Sequence, residues 1–308
     1  MTLLPTGEVL ADGEYREIIL EKNPPLGRII LNEPEKMNPL NWRRIAEIGK
    51  AAKELEWDDD IKVIVLKGAG RCFSSGFDLT PPENMTSEKD YFTRSRNFPP
   101  GGRYVSSERD WISGQYNRDH LATFFLLWDL DKPVIAQIHG YCLAGATELA
   151  SFCDIRMVAE GTQIGYPVAR QLTPGNIQWF VWFMGITKAT EFMFTGDPMT
   201  AEEAHRVGWA TRVYPASELE AQTEKFAQRV AQIPTKLIMM TKRSLHAQLD
   251  VMGFRTGLQW GSDILSVTNS MGQTEEFFAG VKDKSLKEGL QQRDKAFGDY
   301  GTAEGQKK

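Results

Sequence analysis

The sequence predicts an α/β fold that passes into a mainly helical C-terminal part. Residues 61–66 and 133–138 are short apolar runs of the kind that forms buried parallel strands. Strand and helix patterns alternate up to residue 155, and this order indicates right-handed β-α-β units. Beyond residue 175 the apolar positions recur at helical spacing instead.

The first predicted elements are two strands that pair with each other. Residues 1–13 precede them and are expected to form a short flexible leader. Residues 15–20 and 27–31 have strand-like composition, and the tripeptide Asn-Pro-Pro at 23–25 lies between them. Because proline cannot donate to a strand ladder, this tripeptide predicts a turn.

A helix that ends near Glu56 is predicted next. Asn38 has the side chain of a typical N-cap residue, and Pro39 suits the first helical position. The apolar residues at helical spacing are Ile45, Ile48, Ala52 and Leu55. They predict a helix with one buried face.

In the C-terminal part, two capping boxes and a glycine mark helix ends. Thr200 and Ser217 each begin a capping-box pattern, and Gly208 is expected to end the first of these helices. Apolar stripes follow at Phe226, Val230, Ile233, Leu237, Met240, Leu245, Leu249, Leu258, Trp260, Ile264 and Val267. Such stripes pack into a core more often than into an interface.

Composition limits the classes of function. A chain of 308 residues with 41% hydrophobic residues can form one large α/β domain, with or without an appended helical segment. Its net charge of −5 argues against a general nucleic-acid binder. No signal peptide and no apolar run of about 20 residues is recognisable, so we expect a soluble, cytoplasmic protein that does not bind membranes. The three cysteines are expected to be reduced, and no metal-binding motif is present.

Two glycine-centred turns carry the functional signal. They span residues 72–79 and 139–149, and each follows one of the predicted parallel strands. Ligands bind at the carboxyl ends of such strands, and small residues let a carbonyl oxygen approach backbone N–H groups. The Ser75 and Gly145 amides are predicted to form an oxyanion hole, with the Glu148 carboxylate beside it as a base.

Other motifs compete with this interpretation. Residues 68–73 begin like a dinucleotide-binding loop, but Phe73 stands where the third glycine is needed. Residues 72–76 approach a nucleophile elbow, but Cys72 replaces its first glycine. The four histidines have no catalytic spacing; His139 is the one close enough in sequence to reach the site.

The pair of turns resembles the crotonase superfamily of enoyl-CoA hydratases and isomerases. Residues 31–40, 153–155 and 195–204 add to the resemblance, which covers about residues 18–287. It implies a crotonase-like fold of repeated ββα units at 14–215 and a C-terminal helical trimerisation segment at 216–308. It also implies a homotrimer or hexamer that acts on an acyl-CoA thioester, with CoA as part of the substrate and no separate cofactor.

The same resemblance assigns roles to individual residues. Ser75 and Gly145 take the two oxyanion positions, and Glu148 takes the first of two acid/base glutamates. Residues implied to bind substrate are Ser74, Gly76, Phe77, Asp78, Ala144, Tyr166, Val168 and Arg170. An aromatic residue that often contacts the neighbouring subunit's CoA in this family corresponds here to Gly280.

The second glutamate of a hydratase is replaced by Val168. Hydration of a conjugated thioester normally divides two proton transfers between two carboxylates, whereas one carboxylate suffices to move a proton between two carbons. Tyr166, Arg170 and Gln171 are the nearest polar residues in sequence. They could bind a substrate carboxylate or hydroxyl, or serve as ordinary loop residues.

The predicted function is an enoyl-CoA hydratase/isomerase-type reaction, catalysed by a lyase or isomerase with Glu148 as the main acid/base. Hydratase-lyase, decarboxylase or hydrolase chemistry on a bulky or aromatic acyl-CoA is an alternative; residues 174–176 and 284–290 resemble hydroxycinnamoyl-CoA hydratase-lyases. A non-catalytic acyl-CoA binder and an RNA-binding relative are two further alternatives. The aromatic-rich segment 80–120 either walls the acyl pocket or packs on the core.

Overall fold

The computed structural model describes residues 2–3, 9–10, 14–84, 96, 115–175, 178–270, 277–278, 281 and 285–300. The described strands are β1 (Thr2–Leu3), β2 (Val9–Leu10), β3 (Ile18–Asn23), β4 (Leu26–Leu31), β5 (Val63–Gly68), β6 (Val134–Ile138), β7 (Tyr141–Leu143), β8 (Ile155–Ala159), β9 (Gln163–Gly165) and β10 (Arg212–Tyr214). The described α-helices are α1 (Trp42–Glu56), α2 (Gln115–Asp129), α3 (Gly145–Ser151), α4 (Phe180–Thr195), α5 (Ala201–Arg206), α6 (Leu219–Ala231), α7 (Thr235–Val251), α8 (Phe254–Ser270) and α9 (Leu286–Asp294).

The central sheet has six strands in the order β10-β8-β6-β5-β4-β3. Its strands are parallel except for the antiparallel pair β3 and β4, which confirms the predicted hairpin. Strands β7 and β9 form a separate parallel pair beside this sheet. Within the predicted leader, β1 and β2 pair antiparallel.

Both faces of the sheet are covered, as an interior parallel sheet requires. Successive residues of β5 face opposite sides: Ile64 joins the larger apolar cluster, to which α1 and α2 contribute, and Val63 joins a smaller one. Helix α6 covers the smaller cluster with Leu219 and Ala227. This helix lies beyond the predicted boundary at residue 215 yet packs on the sheet; the division into two parts stays a prediction.

The start of α1 differs from the prediction. Asn41 is the N-cap residue, and its side chain accepts a 2.9 Å hydrogen bond from the Arg44 amide. Asn38 is buried with φ +50°, and its side-chain amide donates to the Ala69 and Cys72 carbonyls. Asn38 is therefore not a cap: it ties the chain before α1 to the first glycine-centred turn.

The C-terminal caps are partly as predicted. The Thr200 hydroxyl accepts a 3.1 Å hydrogen bond from the Glu203 amide, and Gly208 follows α5 with φ +91°. The capping box expected at Ser217 is wrong, because the N-cap residue of α6 is Glu218 and its side chain makes no capping hydrogen bond.

Several apolar side chains of α7 and α8 are exposed. They are Leu237, Met240, Leu245, Trp260, Ile264 and Val267. The expectation that these side chains pack into the core is therefore wrong within one chain. Leu258, in contrast, is buried as expected. The trimer or hexamer stays a prediction.

Candidate active site

The two glycine-centred turns lie side by side. Ser74 and Cys142 form an isolated parallel bridge between them. A Cβ built on Gly76 would lie 3.2 Å from the Gly145 nitrogen and 2.5 Å from the Leu143 carbonyl oxygen. Gly76 also has φ +92°, so a side chain is excluded here by both space and backbone conformation.

The Ser75 amide, predicted to be an oxyanion donor, already has a protein acceptor. It donates a 2.9 Å hydrogen bond to the Met37 carbonyl. The neighbouring Gly76 amide donates to the Ser74 hydroxyl at 3.1 Å. Because both N–H groups already donate to protein acceptors, the assignment of Ser75 to the oxyanion hole is corrected.

Phe77 supplies the next amide along the turn. Leu40 and Phe77 form a parallel bridge in which the flanking Gly76 carbonyl and Asp78 amide make the hydrogen bonds, so the Phe77 N–H faces away from Leu40. Its ring lies over the other turn: a Cβ on Gly145 would come 2.6 Å from it. Among the described residues, neither the Phe77 nor the Gly145 amide has a protein acceptor.

Gly145 is the first residue of α3. The N-cap Ala144 has φ +48° and offers no side-chain hydrogen bond, so the Gly145 amide is one of the N–H groups that a helix start leaves unsatisfied. The helix dipole favours negative charge at this end. Two amides from adjacent turns, one of them at a helix start, can stabilise a developing oxyanion.

Glu148 lies in the first turn of α3, three residues after Gly145, and is fully buried. The Tyr166 hydroxyl donates a 2.5 Å hydrogen bond to its Oε1 atom. Tyr166 follows β9, and α3 follows β7. The pairing of β9 with β7 therefore brings Tyr166 close to α3. A short hydrogen bond of this kind is typical of a hydroxyl that donates to an ionised carboxylate.

Val168 lies in the 3-10 turn Pro167–Arg170 and is 9% exposed. It belongs to the larger apolar cluster of the core. The position implied for a second carboxylate therefore carries only an apolar group.

Arg170 does not face this site. Its guanidinium forms two 2.7 Å hydrogen bonds with Asp299, one of 3.0 Å with Asp294 and one of 2.9 Å with Asp197. Burial opposes its charge, but the hydrogen bonds with Asp299 and Asp294 hold its pKa above the usual value. The prediction that Arg170 binds substrate is wrong, because its guanidinium already forms hydrogen bonds with three protein carboxylates. We call this group of four residues the C-terminal clasp.

Asp78 also has internal partners. Its carboxylate accepts a 2.9 Å hydrogen bond from the Thr80 amide and lies 3.4 Å from the Arg96 guanidinium. The Ser74 hydroxyl donates to the Asn38 carbonyl at 2.7 Å. These side chains shape the first turn; a contact of either with substrate stays a prediction.

His120, on α2, was not singled out by the sequence but lies beside the site. Its ring stacks on Phe77 with 5.1 Å between centroids, and burial lowers its pKa to about 3. No local spacing could have revealed a contact across 43 residues of sequence separation. His139 instead lies 2.8 Å from the Gly70 carbonyl.

Several predictions fall on residues that are not described. Most of segment 80–120 is outside the described ranges, as are Asn176 and Gly280. Within those ranges, no cluster of three or more His, Cys, Asp or Glu side chains is arranged to hold a metal ion. No described helix has the length and hydropathy to cross a bilayer.

Comparison with known proteins identifies the class. The architecture, a mixed α/β fold with a largely parallel sheet and many helices, is that of the crotonase superfamily. Residues 21–99 and 107–297 match the family described as Enoyl-CoA hydratase/isomerase. The chain belongs to this family.

Individual relatives agree with this membership. The chain is 30% identical to the Putative enoyl-CoA hydratase EchA13 of Mycobacterium tuberculosis, over 76% of this chain and 74% of the relative. It is 26% identical to the short-chain-enoyl-CoA hydratase of Clostridium acetobutylicum, over 91% of this chain and all of the relative. A crystal structure of enoyl-CoA hydratase from Mycobacterium smegmatis superposes with a TM-score of 0.84 at 25% identity, covering 96% of this chain and 99% of that one.

Proposed function

We propose that this protein is an enzyme that binds an acyl-CoA thioester and moves a proton at its α-carbon through a stabilised enolate. One observation carries the proposal: the buried Glu148 carboxylate, held by Tyr166, lies one helical turn behind the Gly145 amide. CoA enters as part of the substrate, and no separate cofactor is needed for a proton transfer of this type.

In the proposed mechanism the thioester carbonyl accepts hydrogen bonds from the Phe77 and Gly145 amides. Glu148 removes a proton from the α-carbon, and the electron pair moves onto the carbonyl oxygen. The two amides stabilise that negative charge, and one such donor typically contributes about 2.7–4 kcal/mol to the transition state. Glu148 then returns the proton to carbon.

The apolar side chain of Val168 favours one reaction type within the family. Hydration needs a group that activates water as well as one that protonates carbon. With a single carboxylate identified in the described site, transfer of one proton between the γ- and α-carbons is the simplest reaction. We therefore propose isomerisation of an enoyl-CoA as the main activity, with hydration slower.

A panel of CoA thioesters tests this proposal. Paired α,β- and β,γ-unsaturated thioesters of several chain lengths would be incubated with the protein and separated by chromatography with mass detection, since isomers share a mass and hydration adds water. Isomerisation at a higher kcat/KM than hydration is expected. Binding without turnover of any thioester would instead identify a non-catalytic acyl-CoA binder, and lysis of the acyl chain would favour hydratase-lyase chemistry.

A further inference from the structure

The polar group that the 3-10 turn Pro167–Arg170 brings to the site comes from the residue before it. Tyr166 is its N-cap residue, and Val168 lies two positions further on. The Tyr166 hydroxyl reaches Glu148 Oε1 at 2.5 Å, whereas Val168 offers no polar atom. This segment therefore supports the base on α3 with a phenol instead of supplying a second carboxylate.

The Tyr166 ring is held firmly enough to fix its hydroxyl. The residue is 2% exposed and meets the Phe180 ring edge-on, with 5.2 Å between centroids and 82° between planes. On another side, a Cβ on Gly175 would lie 3.3 Å from its Cε1 atom. A side chain packed in this way gives a hydrogen bond of defined direction.

We propose that Tyr166 is the positioning residue for Glu148: it holds Oε1 and directs the proton transfer to the other carboxylate oxygen. The inference rests on the proposed function, since it assigns Glu148 as the base. A hydrogen-bond donor favours the ionised form of a carboxylate, whereas desolvation in a buried site favours the neutral form.

Two other titratable side chains from neighbouring elements have different contacts. Arg170, from the same turn, faces the C-terminal clasp. His120, from α2, stacks on Phe77 and is neutral. Tyr166, in contrast, donates its hydrogen bond directly to the Glu148 carboxylate.

The test is Tyr166→Phe, with Tyr300→Phe as the matched control. Tyr300 is also a buried tyrosine, and its hydroxyl donates to the Gly196 carbonyl at 2.7 Å, in the region of the C-terminal clasp. Losing a hydrogen bond to a charged group predicts a kcat about 10- to 100-fold lower for Tyr166→Phe, with KM little changed. The acid limb of its pH–rate profile should move to higher pH. Tyr300→Phe should lose stability but keep kcat and the pH profile.

Two further experiments separate a failure of the Tyr166 proposal from a folding defect and from a failure of the proposed function. If Tyr166→Phe does not fold, 3-fluorotyrosine at position 166 preserves the shape and makes the phenol a stronger donor, so the acid limb should move to lower pH. An unchanged kcat and pH profile in folded Tyr166→Phe, or an unchanged limb with fluorotyrosine, overturns the role of Tyr166. Turnover that survives in Glu148→Gln would instead refute the proposed function itself.

Discussion

The Phe77 ring lies directly against the backbone of Gly145, so closely that a Cβ on Gly145 would come within 2.6 Å of the ring atoms Cδ2 and Cε2. This contact joins the two turns whose amides we propose as oxyanion donors. It also explains why glycine is needed at 145. The residue is not among those with positive φ, so the constraint is steric and not conformational.

Gly145→Ala should therefore displace the Phe77 ring and disturb the donor pair. We expect kcat/KM to fall at least about 10-fold, because losing one oxyanion donor alone typically costs 10²–10³ in kcat. Gly49→Ala is the matched control, since it adds the same methyl group to a buried helical glycine with its nearest contact at 3.3 Å. Normal steady-state kinetics in a folded Gly145→Ala protein would show that the carbonyl does not bind there.

The sequence predicted both turns, the two parallel strands before them and the place of Glu148. These features depend on local composition, so they can be recognised in a single chain. Ser75 could not be excluded locally, because its amide is engaged by the Met37 carbonyl, 38 residues earlier. Which N–H of a turn remains available is decided by such distant partners.

Arg170 illustrates the same limit. Its partners Asp294 and Asp299 come from the C-terminal end of the chain, more than 120 residues away. Asn38 is a third case: its residue type suits a helix cap, but the three carbonyls that accept from its side chain belong to residues 69–73. The residue types of Arg170 and Asn38 indicated side chains that form hydrogen bonds, and tertiary packing decided which groups they bind.

The apolar group at 168 gives a gain-of-function prediction. Val168→Glu should raise crotonyl-CoA hydration measurably above the wild-type rate, because it adds the missing carboxylate. Burial favours its neutral form, which suits an acid but lowers stability. Val168→Gln is the control with similar size and no titratable group. Equal hydration by both variants, measured by loss of enoyl absorbance, would refute this reading of position 168.

His120 predicts a pH dependence of stability. Its pKa is about 3 in the folded protein against 6.5 ordinarily, so below pH 6.5 the unfolded chain binds a proton that the folded chain does not. Stability that is fully present above pH 6.5 is lost as the pH falls, by about 2 kcal/mol between pH 6.5 and 5. His120→Phe keeps an aromatic ring for Phe77 and removes this loss. Urea unfolding at pH 7 and 5 should show a smaller drop for the variant; equal drops would contradict the buried neutral imidazole.

The C-terminal clasp predicts a large loss of stability from Arg170→Met. The change removes the guanidinium that makes two hydrogen bonds with Asp299, 15% exposed, and leaves the 3% exposed Asp294 with Arg293 as its remaining guanidinium partner. Breaking a buried pair in this way costs about 3–5 kcal/mol. The control is Arg243→Met, whose partner Asp131 and own side chain are 31% and 59% exposed and whose pair should contribute less than about 1 kcal/mol. Similar urea midpoints for the two variants would show that the clasp is not stabilising.

The role of Glu148 is tested most directly by hydrogen exchange at the α-carbon of a bound thioester. Wild-type protein and Glu148→Gln would be incubated with butyryl-CoA in D2O, and deuterium in the acyl group would be followed by mass spectrometry. This substrate has no double bond, so the readout isolates proton removal from the later steps. Thioester binding would be measured for both proteins by calorimetry. We predict exchange by the wild type and a rate lower by at least about 10²-fold in Glu148→Gln, with binding retained. Exchange at the wild-type rate in Glu148→Gln would contradict the assignment of Glu148 as the base.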